Sequence, residues 1–433
     1  MGVMTAHDRG GSGFRRRSLD AHRRAMTELL LATGGPSAHG RTEVVPTADA
    51  LGRLTARAVR AEVPLPRFDD SQMDGFAVRA AETPGVLRTT DPVPAGGLPE
   101  ALPPRCAAPI MTGAPLPEGA DAVVPVEATD AERFDPAGAG PDSVEVPRTG
   151  AGTYVRRRGS DVDVGDEVLS AGARLTAAGI GVLASLGLTE TEVVARPRAM
   201  VLVGGDEVVP PGSEIGPGQV YDANGGLLSG WLAARGLEVV AVRIVDDSEG
   251  RFAARLRADL ALHGPDLVVT SGGISAGRYE VVRQSLASMP EAEMSIGTLA
   301  MQPGGPQGLG TVGVDGRPPA AVVSLPGNPV STWVSCEALL VDALAEAWGL
   351  PRPHRWRSAR LGRAARPAAE KDQIRRGRCT PRGAGDVGPS EVVAFEGTGS
   401  HLLAGASRAD VLIRLPAGDE ELPPGTTVTV RDL

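Results

Sequence analysis

Leu267-Val-Val-Thr-Ser-Gly-Gly-Ile-Ser-Ala-Gly277 is the stretch on which the fold turns. Leu267 to Thr270 is a continuous apolar and β-branched run, the pattern of a strand buried on both faces. Glycines in the next segment let the backbone approach a ligand closely. The N–H groups of such a loop, with those of the helix expected after it, form a cradle for an anion. No Gly-Lys-Ser/Thr follows, so this is not a Walker-type phosphate loop. The bland alternative is a glycine turn with no ligand. Glu280 lies just beyond the loop, and Asp246-Asp247 follow a neighbouring strand at the same sheet edge. Asp246 and Glu280 are candidate oxygen ligands for Mg²⁺, which keeps waters and substrate phosphates in the rest of its shell.

Outward from this stretch the pattern alternates. Ala199–Val203, Glu238–Val242, Asp266–Thr270 and Ala320–Leu325 read as strands. Gly225–Arg235, Gly250–Leu262, a segment after Tyr279 and Val330–Leu344 read as helices. Apolar runs alternating with helices predict a parallel sheet covered on both faces, a doubly wound α/β domain over 195–350. Ligands in such folds bind beyond the carboxyl ends of the strands. Two further motifs fall there. Val201-Leu-Val-Gly-Gly-Asp-Glu207 ends a strand in two carboxylates, suited to a metal or polar ligand, or else simply to solvent. Ser324-Leu-Pro-Gly-Asn-Pro-Val-Ser331 is a rigid turn into a helix, with Ser331 either capping that helix or facing an anion.

Either side of this unit the character changes. Ser18 to Thr33, with Leu19, Arg23, Met26, Leu29 and Leu30, suggests an amphipathic helix closed by Gly34-Gly35-Pro36. Residues 48–61 suggest a second helix. Short apolar runs between Gly/Pro clusters mark 64–146 as a β-rich insertion. It carries Asp74-Gly75, a tight turn presenting a carboxylate, and Thr112-Gly113, a hydroxyl and N–H at the end of an apolar segment. Residues 356–433 hold short strands and no convincing helix, which reads as a small β-barrel. The expected division is 15–63 with 147–194, 64–146, 195–350 and 356–433.

The formal net charge of −9 argues against sequence-independent nucleic-acid binding, so any anionic ligand must be held by local donors. Cys106, Cys336 and Cys379 are too scattered for a disulfide framework or a zinc site, which suits a reducing cytoplasm. No stretch reaches the roughly 18 apolar residues of a membrane span. Lys371 is the chain's one lysine.

Seven motifs in register resemble the molybdopterin molybdenumtransferase family (MoeA and the gephyrin E domain). They are Ser71-Gln-Met-Asp-Gly-Phe-Ala77, Met111-Thr-Gly-Ala114, Arg158-Gly-Ser-Asp161, Gly205-Asp-Glu207, Ser271-Gly-Gly-Ile-Ser-Ala-Gly277, Leu325-Pro-Gly-Asn-Pro-Val330 and Gly399-Ser-His401. The resemblance runs from about residue 18 to 433. It implies a homodimer of four-domain subunits that inserts molybdate into adenylylated molybdopterin with Mg²⁺, releasing AMP. By matching position it implies functional roles for Asp74, Thr112, Asp161, Glu207 and Asp246. It places Ser271, Gly272, Gly273, Ser275, Gly277, Gln302, Pro326, Gly327 and Asn328 around the substrate, with Ser331, Arg376 and Ser400 near molybdate. Molybdopterin adenylyltransferase and apo-molybdoenzymes are the implied partners. The chain departs from the family at a lysine segment, where Thr298, Gln302 and Gly305 stand instead. Glu280 replaces an aspartate and Gly204 a threonine. The neutral replacements leave a second reading open, a paralogue that carries molybdopterin or scaffolds a partner without catalysis.

Overall fold

The computed structural model describes residues 16–131, 141–245, 249–274, 281–313, 316–352, 354–380 and 390–433. They fall into two compact units, divided between Arg41 and Thr42 and again between Val194 and Ala195.

The larger unit is built on a seven-stranded sheet. Its order is Arg16–Arg17, Ala292–Leu299, Pro306–Val312, Ala320–Leu325, Leu267–Ser271, Arg198–Gly204 and Glu238–Val245. The last four strands are mutually parallel, with Leu267–Ser271 buried along its whole length between two parallel neighbours. Alternate residues feed opposite layers. Val201, Val269 and Val323 face one core with the first helix and the Asn224–Ala234 helix. Leu202, Val268 and Val322 face another with the Glu249–His263 and Val281–Ser288 helices. Period-2 alternation with both faces apolar is what makes the strands read as unbroken hydrophobic runs.

The expected parallel sheet is present in these four strands, and it carries an antiparallel addition. Ala292–Leu299 and Pro306–Val312 form an antiparallel hairpin that extends the sheet beyond Ala320–Leu325. Glycines hide these strands in the sequence, yet packing demands them. A Cβ on Gly310 would lie 2.0 Å from the Glu293 carbonyl oxygen, and one on Gly308 3.1 Å from Ile296 and Ser324.

The first helix spans Leu19–Thr33, capped by the Ser18 hydroxyl, which accepts from the Ala21 N–H at 3.2 Å, and closed by Gly34 at φ 79°. Its buried stripe is Leu19, His22, Met26 and Leu30. His22 rather than Arg23 holds the inward place, and Arg23 pairs with Glu346 at 2.8 Å. The expected 330–344 helix runs on from Pro329–Ser335 through a π turn, Cys336–Leu340, into Val341–Trp348. The π turn leaves a backbone carbonyl for an outside donor, and the Arg431 guanidinium bonds that of Glu337. Arg431 also clasps Asp342 through two bonds of 2.8 and 2.7 Å and lies 4.7 Å from the Trp356 ring centroid.

Asp372–Cys379, Glu391–Ala394, Arg357–Leu361, Thr427–Asp432 and Val411–Leu415 close on themselves as a small barrel, because Val411–Leu415 pairs back onto Asp372–Cys379. Val392, Val411, Ile413 and Val430 fill it. A short helix, Leu403–Ala406, is added.

In the smaller unit a five-stranded sheet runs Ala122–Pro125, Gly75–Val78, Cys106–Ile110, Gly85–Thr89, Ser143–Val146. Thr42–Pro46 pairs with Glu190–Val194 beside the Ala177–Ser185 helix. Residues 48–61 do not form the expected helix. A single 3₁₀ turn, Thr47–Asp49, precedes Gly52 at φ 77°, and Val59–Arg60 pairs as a strand with Glu167–Leu169. The left-handed glycine interrupts the helical period. Among the described residues no helix is long and apolar enough to cross a membrane.

Candidate functional site

The central strand delivers Ser271-Gly272-Gly273 to the carboxyl edge of the sheet. Gly272 and Gly273 take φ values of +84° and +66°, which side-chain-bearing residues rarely adopt. A Cβ on Gly272 would stand 2.6 Å from the Gly204 carbonyl oxygen, and one on Gly327 3.2 Å from the Gly272 Cα. Three backbones, from the 198–204 strand, the 271–273 loop and the 326–328 turn, thus meet without side chains between them.

Hydrogen bonds fix this meeting. The Ser271 hydroxyl donates to the Pro326 carbonyl at 3.1 Å and lies 3.1 Å from the Thr332 hydroxyl, which itself donates to Pro326 at 2.6 Å. The Gly272 N–H donates to Leu325 at 3.2 Å. Asn224, buried at the start of its helix, donates to the Gly327 carbonyl at 2.7 Å. Ser271, Gly272, Gly273, Pro326 and Gly327 are therefore brought together at the carboxyl edge of the sheet. Ser271, however, spends its hydroxyl on the scaffold. Ser275, Gly277 and Glu280 lie outside the described residues, as do Asp246 and Arg278. Arg283, from its helix, donates its backbone N–H to Gly273 at 3.0 Å.

Glu207, exposed at the end of the next strand, folds its carboxylate toward Gly205, whose Cβ would lie 2.7 Å from Oε2. Asn328 takes the N-cap position of the Pro329–Ser335 segment without a side-chain cap bond. Ser331 is buried, and its carbonyl accepts from Ser335 at 2.7 Å. Gln302 begins the turn where the lysine segment is altered. Its side-chain oxygen accepts from Gln373 at 3.1 Å. Thr298 is half-buried in the antiparallel strand, and the Cβ of a residue at 305 would be 4.0 Å from the Thr298 methyl. Arg16–Arg17 runs parallel to Thr298–Leu299, with Arg17 donating to Ser295 at 3.0 Å.

Arg376 is buried and fully engaged. Its guanidinium donates to the carbonyls of Leu402 at 2.6 Å, Gly397 at 2.9 Å and Gly399 at 3.5 Å. Burial, with Arg375 adjacent, holds its pKa below the usual arginine value. Ser400 contributes its backbone carbonyl to the Val330 N–H at 3.3 Å. Both residues thus order the 397–402 loop against the Pro329–Ser335 helix.

In the smaller unit Asp74 and Thr112 are joined. The exposed Asp74 carboxylate accepts from the Thr112 N–H at 2.6 Å and from its hydroxyl at 2.8 Å. Gly75 is obligatory beside them, since a Cβ there would meet the Val124 carbonyl oxygen at 2.0 Å. Asp161 is held separately. Its N–H donates to Leu65 at 3.0 Å, and its exposed carboxylate makes no hydrogen bond among the described residues. Asp69 and Asp70 nearby pair with Arg157 at 2.7 Å and Arg156 at 2.5 Å, tying the two motif strands together.

Sequence reading missed Asn224 and Thr332. Asp222-Ala-Asn224 carried a usable signal, for Asp222 caps the helix by accepting from the Gly225 N–H at 2.8 Å. Thr332 lies one turn inside a helix, where nothing local distinguishes it. As for metals, no group of three or more His, Cys, Asp or Glu gathers among the described residues.

Three family models match consecutive parts of the chain: "MoeA N-terminal region (domain I and II)" over residues 17–187, "Probable molybdopterin binding domain" over 200–346, and "MoeA C-terminal region (domain IV)" over 358–433. Among curated relatives, molybdopterin molybdenumtransferase 2 of Mycobacterium tuberculosis H37Rv is 38% identical over 96% of this chain and 100% of its own length. Molybdopterin molybdenumtransferase 1 of the same strain is 34% identical over 89% and 93%. A crystal structure of a molybdopterin biosynthesis MoeA protein from Pyrococcus horikoshii superposes with a TM-score of 0.73 at 26% identity, covering 96% of this chain and 99% of that one.

Proposed function

The chain belongs to the MoeA family of molybdopterin molybdenumtransferases, and from that premise we propose that it works in molybdenum cofactor biosynthesis, inserting molybdate into adenylylated molybdopterin with release of AMP. The observation that carries the reading is the side-chain-free cradle of Gly204, Gly272 and Gly327 at the carboxyl end of the central strand. It lies where α/β folds bind ligands. It holds the 271–273 loop at the ligand-binding edge of the sheet, with Asn224, Ser271 and Thr332 locking its walls.

In this reaction water breaks the phosphoanhydride. One phosphate stays on the pterin, AMP takes the other, and the two dithiolene thiols give their protons to one oxo group of molybdate, which leaves as water as both sulfurs bind molybdenum. Mg²⁺ screens the pyrophosphate when bound. It needs one or two carboxylates beside the phosphates; Asp246 and Glu280 are the proposed ligands, with Glu207 at the same strand edge. Asp74, oriented by two donors from Thr112, is the fixed carboxylate of the smaller unit and acts with Asp161. Gln302 and Asn328 lie around the substrate and Ser331 and Ser400 on the molybdate side, with Arg376 shaping the loop that carries Ser400. The working form is a cytoplasmic homodimer of four domains, 15–63 with 147–194, 64–146, 195–350 and 356–433, receiving substrate from molybdopterin adenylyltransferase and passing product to apo-molybdoenzymes.

A second reading rests on the neutral Thr298, Gln302 and Gly305: a carrier or scaffold that binds molybdopterin without turning it over. One assay separates the two. Purified protein is mixed with adenylylated molybdopterin, molybdate and Mg²⁺, and AMP release and reconstitution of an apo-molybdoenzyme are followed, with Asp246→Ala as control. Molybdate-dependent AMP release that vanishes in the control is expected. Retained pterin binding without release would overturn the enzyme reading in favour of the carrier.

A further inference from the structure

A cavity of about 560 Å³ lies off the Asp372–Cys379 strand and is lined by Arg376, Arg378, Phe395, His401, Leu402 and Arg408 among others. Its lining holds three arginines and a histidine against one carboxylate, Glu396. That balance is unusual on a chain with net charge −9, where 53 acidic residues outnumber 44 basic ones.

Three arginines of the barrel strands are neutralised by carboxylates, while Arg360 and Arg375 donate to the Gly425 and Phe395 carbonyls. Arg357 bonds Asp432 at 2.6 Å, Arg414 bonds Asp372 at 2.5 Å, and Arg431 bonds Asp342 at 2.7 Å. Arg378 and Arg408 have no carboxylate within ion-pair distance among the described residues. Instead the Arg378 Nε donates to the Arg408 carbonyl at 3.3 Å, and its guanidinium carbon sits 5.8 Å from the Phe395 ring centroid. This leaves both Nη groups of Arg378 without a hydrogen-bond partner among the described residues. Arg376 completes the arrangement from below, fixing the 397–402 wall through three carbonyls. Leu402, Leu403 and Ala404 add an apolar wall that strengthens any charge–charge attraction beside it.

We propose that this cavity is a capture site for a tetrahedral oxyanion dianion, held by the forked guanidinium of Arg378 with Arg408 and His401 beside it. Guanidinium forks match the oxygen spacing of such anions and bind them bidentately. The site lies across the Arg376-tethered loop from Gln302 and Gln373, which line a separate recess with Gly397 and Thr398. The anion chemistry stands on the cavity itself; naming molybdate as one source rests on the reading proposed above, the phosphate of AMP being the other.

The test is equilibrium dialysis of the full chain with molybdate and, separately, with AMP, at low and high salt. Wild type is compared with Arg378→Gln, Arg408→Gln, the double variant and Arg378→Lys, with melting temperature as the folding control. Each exposed-arginine change is expected to weaken binding about tenfold, the size of a lost charged hydrogen bond. Arg378→Lys should recover part of it, keeping the charge but not the fork. High salt should weaken wild type more than the double variant. Loss of molybdate binding identifies the free metal oxyanion as ligand, and loss confined to AMP identifies the nucleotide phosphate. Either supports the site. Equal binding by wild type and a folded double variant, or no binding of either anion, overturns it. Turnover separates this from the enzyme reading. An active double variant with unchanged KM for molybdate sinks the capture site and spares the enzyme, while arginine-dependent binding without AMP release does the reverse.

Discussion

Replacing Gly272 by alanine tests the backbone cradle directly. Two effects add. An L-residue at φ +84° costs about 1–2 kcal/mol. The new Cβ would also stand 2.6 Å from the Gly204 carbonyl oxygen, a backbone atom in a buried parallel strand that has no rotamer to yield. Forcing such a contact typically costs a further 1–3 kcal/mol. The sum is about 2–5 kcal/mol. At roughly 2–4 °C per kcal/mol for a large domain, the melting temperature should fall by about 4–20 °C. Gly212→Ala is the matched control, at φ +87° with nothing within 4 Å of the new Cβ. It carries the conformational cost alone, about 1–2 kcal/mol. Thermal melts of both variants, with pterin binding measured alongside, give the answer. Equal shifts for the two would refute the close approach of the 204 and 272 backbones as the reason for glycine. A destabilised Gly272→Ala with unchanged pterin binding would refute the cradle as a ligand site while keeping its geometry.

Arg431→Met should cost about 3–5 kcal/mol in chemical denaturation because it strands the buried Asp342 carboxylate, left with Arg352 at 3.3 Å. Adding Asp342→Leu should recover much of that loss, and a double variant as unstable as the single one would contradict the argument. Burial, reinforced by Arg17, lowers the His22 pKa from 6.5 to about 4. The unfolded chain therefore takes up the proton first as pH falls, so this contribution is complete above about pH 6.5 and is lost towards pH 4, reaching about 2 kcal/mol by pH 5. His22→Leu should flatten that part of the stability–pH curve, and an unchanged slope would exclude His22 as its source. Asp74→Asn should lower kcat for AMP release at least tenfold with little change in melting temperature, since both Thr112 donors face solvent-exposed positions. Gln302→Lys restores a cation beside Gln373. If the neutral segment limits turnover, it should lower KM for molybdate several-fold; no change would remove the case for an impaired pocket.

The strands that read most plainly were those whose local pattern and tertiary role coincide. Ala320–Leu325 is buried on both faces, so its apolar run needs no partner to be recognised. The Ser18 and Gly34 ends of the first helix are likewise local chemistry. The pairing of Asp74 with Thr112 was not readable from spacing alone, since 38 residues separate them and antiparallel strands in the smaller unit bring them together. Arg376 is a like case. The resemblance places it near molybdate, and only the fold shows that its guanidinium is bonded to the carbonyls of the 397–402 loop.

The sequence by itself determined the alternation of strands and helices, the positions of the glycine turns and the family, because these follow from side-chain periodicity and backbone freedom within a few neighbouring residues. The tertiary structure decided which glycines touch, which arginines remain unpaired and which hydroxyls are already spent. Those outcomes depend on groups far apart in the chain competing for the same donors and the same space. The antiparallel hairpin of Ala292–Leu299 and Pro306–Val312 is the clearest instance. Its glycines weaken every local strand signal, and only the Glu293 and Ser324 surfaces they pack against explain why they are there.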